Sequence, residues 1–192
     1  MALDHSSQVQ RAPLQERRGD FYDTPPEAVR ALLKVEQLPH RIWEPAAGKG
    51  NIVSVLRAAG HDVVATDLNN RGCPECIDRI DFLLPMDVAC DAIVTNPPFA
   101  LAEKFVAAAL ERAPLVVMLL RLAFMESDKR RDILEGRGLA RIHVFRKRLP
   151  MMHREGWQGR KANSGMAFAW FVWSVNHVDK PTEIDRISWD RP

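Results

Sequence analysis

Hydrophobic and polar positions alternate in two different periods along the chain. Short apolar runs bounded by turn residues are typical of buried strands, and longer segments with apolar positions three and four apart are typical of helices that face a core. The runs predict strands at residues 41–43, 62–66, 91–95, 114–120, 141–145 and 166–175. The helical segments are residues 24–33, 51–59, 101–112 and 127–135. Strands separated by helices predict an α/β fold, with a mostly parallel sheet and helices on both faces.

Residue types at the ends of these segments support two of the helices. Thr24 precedes Pro25 and Pro26, an order typical of a helix cap followed by a first helical turn. Gly60 follows the second helical segment, where a glycine commonly ends a helix. We therefore expect the first helix to begin at Thr24 and the second helix to end at Gly60.

Composition limits the class of protein. The chain has 192 residues, of which 46% are hydrophobic and 27% charged, enough for one domain with a sizeable core. We expect residues 1–192 to form that single domain, with a disordered tail over residues 1–19. The longest apolar runs, 114–120 and 166–173, are far shorter than the roughly 18 residues of a membrane span. The N-terminus is too polar for a signal peptide, so these features predict a cytoplasmic protein without a membrane partner.

The chain contains three cysteines, Cys73, Cys76 and Cys90. Cys73 and Cys76 have the spacing of half a zinc site, but no nearby histidine pair completes four ligands. Free thiols are the favoured interpretation, and we expect no metal site.

Positive charge is concentrated in residues 141–161. Seven basic residues stand there against Glu155 alone, a net charge of +6, whereas the whole chain carries +2. The basic residues are Arg141, Arg146, Lys147, Arg148, Arg154, Arg160 and Lys161. We expect residues 146–165 to form a basic loop that contacts nucleic acid through all of these except Arg141. A solvated basic loop without a partner is the alternative.

A glycine loop follows the first predicted strand. Glu44 leads Pro45, Ala46 and Ala47, and two glycines, Gly48 and Gly50, then precede a helix, where backbone can approach a ligand closely. The loop lacks the residues of a phosphate-binding Walker motif, and the third glycine of a nicotinamide fingerprint is missing. An acidic residue at the start of the loop suits a ligand ammonium group.

Two further acids follow strands or turns. Asp67 ends the second predicted strand, where a carboxylate can accept hydrogen bonds from both hydroxyls of a ribose. Asp81 and Phe82 offer an acceptor and a ring for an adenine. An amino acid, a ribose and an adenine together describe S-adenosylmethionine.

Five motifs together resemble those of S-adenosylmethionine-dependent amino methyltransferases. FYDTPPEAV, EPAAGKGN, Asp67, IDF at 80–82 and NPPF at 96–99 occur in the order of the DNA adenine-N6 enzymes of the gamma arrangement. The resemblance implies the class I, Rossmann-like fold with a seven-stranded, mostly parallel sheet. It also implies a cofactor site that comprises Phe21, Tyr22, Thr24, Pro25, Glu44, Pro45, Ala46, Gly48, Gly50, Asp67, Asp81 and Phe82. This chain is similar to a small form of that family, without its large target-recognition domain.

The NPPF segment is where the resemblance implies catalysis. The amino nitrogen of a base is a poor nucleophile, because its lone pair is delocalised into the ring. If Asn96 Oδ1 and the Pro97 carbonyl each accept one N–H, the lone pair turns toward the methyl carbon. Pro98 helps to fix this direction, and an exposed Phe99 stacks on the extruded base. A strand-ending turn with a core phenylalanine is the alternative for this segment alone.

The sequence leaves the identity of the methyl acceptor open. Adenine N6 in DNA is the first hypothesis, and similar loops serve enzymes that methylate guanine N2 in ribosomal RNA or glutamine in proteins. A protein that binds S-adenosylmethionine without transferring a methyl group is a further alternative. Base readout requires the basic loop or a second subunit, so a homodimer is also considered.

Overall fold

A seven-stranded sheet forms the centre of the computed structural model, which describes residues 22–151 and 165–190. Its strands are β1 (Arg41–Glu44), β2 (Asp62–Ala65), β3 (Ala92–Thr95), β4 (Leu115–Arg121), β5 (Leu139–Phe145), β6 (Phe168–Ser174) and β7 (Glu183–Ile187). Their order across the sheet is β2-β1-β3-β4-β6-β5-β7. β6 runs antiparallel to its neighbours β4 and β5, and the remaining pairs are parallel. The predicted fold class is confirmed.

All six strands predicted from apolar runs are present within a few residues of their predicted bounds. The strand that the runs did not predict is β7, which lies at the edge of the sheet beside β5. Four of its five residues are exposed, so its sequence has no buried apolar run to reveal it. It pairs with β5 from Arg141 to Phe145 through the backbone.

Among the residues that the structure describes, four α-helices cover the two faces of the sheet. They are α1 (Pro26–Leu33), α2 (Asn51–Ala58), α3 (Ala102–Leu110) and α4 (Arg131–Glu135). α4 is shorter than predicted because Asp128–Arg130 form a 3-10 turn before it, and α3 begins one residue later and ends two residues earlier than predicted. α1 begins after Pro25, and Thr24 does not cap it. The Thr24 hydroxyl instead accepts a hydrogen bond from Asn96, so this part of the cap prediction is wrong.

Each face of the sheet has its own hydrophobic core. One core contains α1 and α2 packed on residues such as Ile42, Val94 and Trp170. The other contains α3 and α4 packed on Trp43 and Phe171 among others. The central strands β3 and β6 are therefore apolar on both faces, as a sheet covered on both sides requires.

A charge network around the buried His143 connects the chain after α1 with β5 and β7. His143 on β5 is 3% exposed, with Nδ1 2.5 Å from Asp185 Oδ1 and Nε2 2.7 Å from Glu36 Oε1. Glu36 also accepts two hydrogen bonds from Arg141. Burial opposes a charge on His143, but the hydrogen bonds to Glu36 and Asp185 outweigh it and raise the pKa of the imidazole.

The carboxyl ends of the six parallel strands meet at one edge of the sheet. Because β6 is antiparallel, its first residue, Phe168, lies at this edge too. Glu44, Thr95 and Arg121 are the last residues of β1, β3 and β4. Ligands bind at this edge in open α/β sheets, so the loops that start here hold the candidate site.

Candidate functional site

The glycine loop is held by the strand beside it. The Ala47 amide donates to the Thr66 carbonyl at 3.0 Å, and the Gly48 amide donates to Asp67 Oδ2 at 2.8 Å. Gly48 has a φ of +57° and Gly50 a φ of +84°, a backbone region that glycine adopts most readily. Gly50 is the residue before α2, and a Cβ built on it would lie 2.7 Å from Cys73 Sγ. Gly50 therefore admits a neighbouring side chain of the protein.

A cavity of about 370 Å³ opens beside this loop, within the range of sites for small ligands. Eleven predicted site residues line it: Tyr22, Thr24, Pro45, Ala46, Gly48, Asp67, Asp81, Phe82, Asn96, Pro97 and Pro98. Pro25, Glu44, Gly50 and Phe99 lie next to it but do not line it. Phe21 is outside the described residues.

Asp67 has a buried carboxylate with capacity to spare. Oδ2 accepts from the Gly48 amide, and Oδ1 accepts from the Asn69 amide at 2.8 Å. A carboxylate has about four lone-pair sites, so two remain after these bonds. Asp67 lines the cavity and can still accept hydrogen bonds from ligand hydroxyls there.

Glu44 is completely buried at the end of β1. Its Oε1 accepts hydrogen bonds from the Ala46 amide at 2.9 Å and the Thr95 hydroxyl at 2.5 Å. Its Oε2 is buried and has no hydrogen-bond partner among the described residues. Burial raises the pKa of this carboxyl to about 8, against the two hydrogen bonds that lower it. A cation placed near Oε2 would stabilise the ionised form.

Asp81 and Phe82 differ in what they offer to a ligand. Asp81 is half-buried, and its Oδ1 accepts from the Leu83 amide at 2.9 Å. The Phe82 ring is 2% exposed and packs against Trp43 and Phe105, with ring centroids 5.0 and 4.9 Å away. The ring is therefore mostly a core side chain that closes one side of the cavity.

The carboxamide of Asn96 has a defined orientation. Its Nδ2 donates to the Tyr22 carbonyl at 3.0 Å and to Thr24 Oγ1 at 2.9 Å. A carbonyl can only accept, so the nitrogen must face Tyr22 and the oxygen must face away. Asn96 Oδ1 is buried and has no hydrogen-bond partner among the described residues. Tyr22 and Thr24 of the FYDTPPEAV motif thus hold an acceptor without a donor at the cavity.

A second asparagine holds the same segment from the other side. The Nδ2 of Asn51, the first residue of α2, donates to Asp23 Oδ1 at 2.8 Å and to the Thr24 carbonyl at 2.9 Å. Asp23 also lies 3.7 Å from Lys49 Nζ, and all three of these side chains line the cavity. Asp23, Lys49 and Asn51 were not predicted from the sequence to be site residues. They lie inside the motifs FYDTPPEAV and EPAAGKGN, and this position was the signal that could have identified them.

Phe99 is half-buried, so the prediction of an exposed ring is wrong. Its ring centroid lies 4.5 Å from that of Tyr22 and 5.5 Å from that of Phe168. The guanidinium of Arg121 lies 4.4 Å from the same centroid. Arg121 was not selected from the sequence because it ends an apolar strand that is distant along the chain.

The basic segment begins at the same edge of the sheet, directly after β5. Two of its basic side chains have partners within the protein, because Lys147 pairs with Asp190 and Arg146 donates to the Arg186 carbonyl. Arg148 is exposed and makes no ion pair within residues 22–151 and 165–190. Arg154, Arg160 and Lys161, like most of the predicted loop over 146–165 and the predicted tail over 1–19, lie outside the described residues.

The three cysteines are free thiols. Cys73 and Cys76 lie in the loop after β2, and burial raises the pKa of Cys76 to about 12. Across the described residues, no group of three or more His, Cys, Asp or Glu side chains is placed to hold a metal ion. Helices in the same part of the chain are all too short or too polar to cross a membrane.

Solved methyltransferase structures have a similar fold at low sequence identity. A candidate class I S-adenosylmethionine-dependent methyltransferase from Listeria monocytogenes is 13% identical with a TM-score of 0.62, over 95% of this chain and 70% of that one. A candidate RNA methyltransferase from Pyrococcus horikoshii is 13% identical with a TM-score of 0.61, over 85% and 90%. The modification subunit of a candidate type I restriction enzyme from Vibrio vulnificus is 14% identical with a TM-score of 0.57, over 92% and 48%.

No family model matches the sequence, and the comparison with curated proteins finds no match. At identities of 13% and 14% the structural likeness establishes the fold and not the substrate. The protein has the class I methyltransferase fold.

Proposed function

We propose that this protein is an enzyme that transfers a methyl group from S-adenosylmethionine to an exocyclic amino group of a nucleobase, with adenine N6 in DNA as the first candidate. The observation that carries the proposal is the Asn96 carboxamide, whose nitrogen is held and whose buried oxygen lacks a donor. An amino group needs such an acceptor before it can attack.

The residues around the cavity fit the cofactor. Asp67 retains capacity for ribose hydroxyls, and Glu44 Oε2 lacks a partner that a ligand ammonium group would supply. Gly48 lines the cavity in a left-handed conformation, and because it has no side chain a ligand can approach its backbone closely. When bound, S-adenosylmethionine supplies a methyl group on a positively charged sulfur. Asp81 also lines the cavity and is suited to an adenine amino group.

Asn96 and Pro97 act on the acceptor in this proposal. The amino group donates one N–H to Asn96 Oδ1 and the other to the Pro97 carbonyl, which directs its lone pair at the methyl carbon. Methyl transfer to this nitrogen would form an N–C bond and would leave the electron pair of the broken S–C bond on sulfur. The methylated nitrogen would carry a positive charge and would lose its proton to water.

The choice of DNA rests on the motif order, and the choice of a nucleic acid rests also on Arg148, which is exposed at the same edge of the sheet. One protein with a similar fold is described as a modification subunit of a restriction enzyme. Guanine N2 in RNA is the second candidate, because another protein with a similar fold is described as an RNA methyltransferase candidate.

Labelled methyl transfer followed by nucleoside mass spectrometry tests the proposal. The wild-type protein is incubated with isotopically labelled S-adenosylmethionine and with DNA, RNA and protein pools. We expect label on N6-methyladenine from DNA. Label on cytosine, on RNA guanine alone or on protein would overturn the adenine assignment, and no transfer to any pool would overturn the enzymatic one.

Asn96→Ala tests the role of the carboxamide. We expect turnover to fall by on the order of 100-fold or more, as when a charge-stabilising group is lost at the reacting atom, with cofactor affinity retained. Asn176→Ala is a matched control, since Asn176 is an exposed asparagine in the turn after β6. An equal loss in both variants, or full turnover in Asn96→Ala, would contradict the role.

A further inference from the structure

Arg121 covers a ring that the proposed acceptor needs. Its guanidinium carbon lies 4.4 Å from the centroid of Phe99 and 5.8 Å from that of Tyr22. Arg121 Nη2 donates to the Tyr22 hydroxyl at 3.2 Å. Tyr22 and Phe168 also contact Phe99, so a planar base reaches that face of Phe99 only if the guanidinium moves.

Two other arginines that lie over aromatic rings show how this fold satisfies such a group. Arg112 lies 4.7 Å from the Phe82 centroid and donates to the carbonyls of Phe82 and Leu84. Arg130 lies 4.5 Å from the Phe124 centroid and donates to the Phe124 carbonyl. Its Nε is 3.5 Å from Glu103.

Arg121 differs from both of these arginines because, among the described residues, it donates to no backbone carbonyl. The Tyr22 phenol oxygen is its hydrogen-bond acceptor, and within the described residues it has no carboxylate partner. Its Nε is buried without a hydrogen-bond partner in the same part of the chain, as is Arg130 Nε, but Arg130 Nε has a carboxylate 3.5 Å away. A guanidinium has five N–H donors, so Arg121 retains a strong capacity for a further acceptor, and an anion suits it best.

We propose that Arg121 contacts the acceptor and binds a backbone phosphate of the nucleic acid next to the methylated base. In the structure the guanidinium lies over the Phe99 ring. When the base stacks on Phe99, Arg121 leaves the ring and pairs with the phosphate, which compensates for the lost ring contact. The proposal rests on the proposed function in that the acceptor is a nucleotide within a polynucleotide.

Because the guanidinium that leaves Phe99 needs a new partner, Arg121 favours anionic acceptors over neutral ones. A neutral amide such as a protein glutamine brings no anion, so it would have to uncover Phe99 without a new partner for the guanidinium. A nucleotide brings one with every phosphodiester link. Arg121 ends β4, beside β3 and the Asn96 loop, so its cation is close to the proposed reaction.

The salt dependence of binding tests this assignment. Fluorescently labelled DNA and RNA oligonucleotides are each titrated with wild-type protein and with Arg121→Gln at several salt concentrations, with S-adenosylhomocysteine present. Loss of one phosphate contact should reduce the slope of log K against log salt by about 0.7 to 0.9. Arg121→Lys should restore the slope, because an ammonium also neutralises a phosphate.

Arg130→Gln is the matched control, because it removes the same charge and also takes a guanidinium off an aromatic ring. Its slope should equal that of the wild type. A wild-type slope that Arg121→Gln leaves unchanged overturns the phosphate contact while the proposed function survives. A wild-type protein that binds neither DNA nor RNA overturns the nucleic-acid acceptor itself, and the role of Arg121 with it.

Discussion

Replacing Glu44 with glutamine separates its charge from its shape. Glutamine has nearly the same size and can still accept the hydrogen bonds from Ala46 and Thr95 at its carbonyl oxygen. It cannot ionise. If Glu44 meets a ligand ammonium group as a carboxylate, cofactor binding must remove a proton from the wild-type side chain, whose pKa is about 8, and no proton from the variant.

The expected size of the effect follows from that pKa. Ionising a carboxyl of pKa about 8 at pH 7 costs about 1.4 kcal/mol, and each further pH unit downward adds the same amount. Between about pH 6 and about pH 7 the wild-type dissociation constant should therefore fall about tenfold. The range stays below the pKa of a ligand α-amino group, which is about 7.7 to 8.0.

Isothermal titration calorimetry with S-adenosylhomocysteine measures both quantities. Titrations in buffers of different ionisation enthalpy should give close to one proton released by the wild type and none by Glu44→Gln at pH 6. The variant should bind with a pH-independent constant. Wild-type affinity that does not change over this range, or a variant that keeps the pH dependence, would refute the direct role of the Glu44 carboxylate.

Without ligand, the folding stability that Glu44 contributes should fall as pH rises, whereas the cofactor affinity should increase. The pKa of Glu44 is higher in the folded protein than its ordinary value of 4.5, so the folded state holds the proton more tightly than the unfolded chain. The free energy of unfolding should therefore decrease as pH rises from about 4.5 to about 8. In Glu44→Gln this part of the decrease should be missing from thermal unfolding curves.

Three further predictions concern other parts of the fold. Gly48→Val should abolish cofactor binding by calorimetry, because a β-branched residue strains a φ of +57°, and unchanged affinity would remove the cofactor assignment. His143→Gln should lower the unfolding temperature most at acidic pH. The raised pKa of His143 contributes stability that is fully present below the ordinary pKa of 6.5 and is lost as pH rises through the pKa of the folded state. A decrease in unfolding temperature that grows with pH would contradict this. Arg148→Ser should reduce the salt slope of DNA binding by about 0.9, whereas Lys147→Ser, at an ion-paired residue, should reduce it less; equal reductions would be evidence against the distinction.

The sequence predicted what depends on local patterns. Buried strands such as β3 and β6 are continuous apolar runs, so their existence and approximate bounds could be found. The exposed edge strand β7 forms through backbone pairing, which leaves little mark on side-chain type. Cap chemistry at Thr24 was predicted from neighbours along the chain, but the hydroxyl bonds to Asn96, which is 72 residues away.

The candidate site follows the same division. Gly48, Asp67 and Asn96 lie in motifs with a recognisable order, and all line one cavity. The environment of Phe99 depends on Arg121, which comes from another strand, so the sequence could not show that its ring face is covered. Long-range contacts decide whether an aromatic side chain is available.

The two hydrogen bonds of the Asn96 amide nitrogen imply that heat can inactivate the protein before it unfolds. Their acceptors, Tyr22 and Thr24, precede α1, while Asn96 follows a central strand. Segments outside a sheet open at lower free energy than its central strands. Opening of residues 22–24 would let the carboxamide rotate while the sheet stays folded. Turnover should then decline at a lower temperature than circular dichroism records for melting, and should return on cooling.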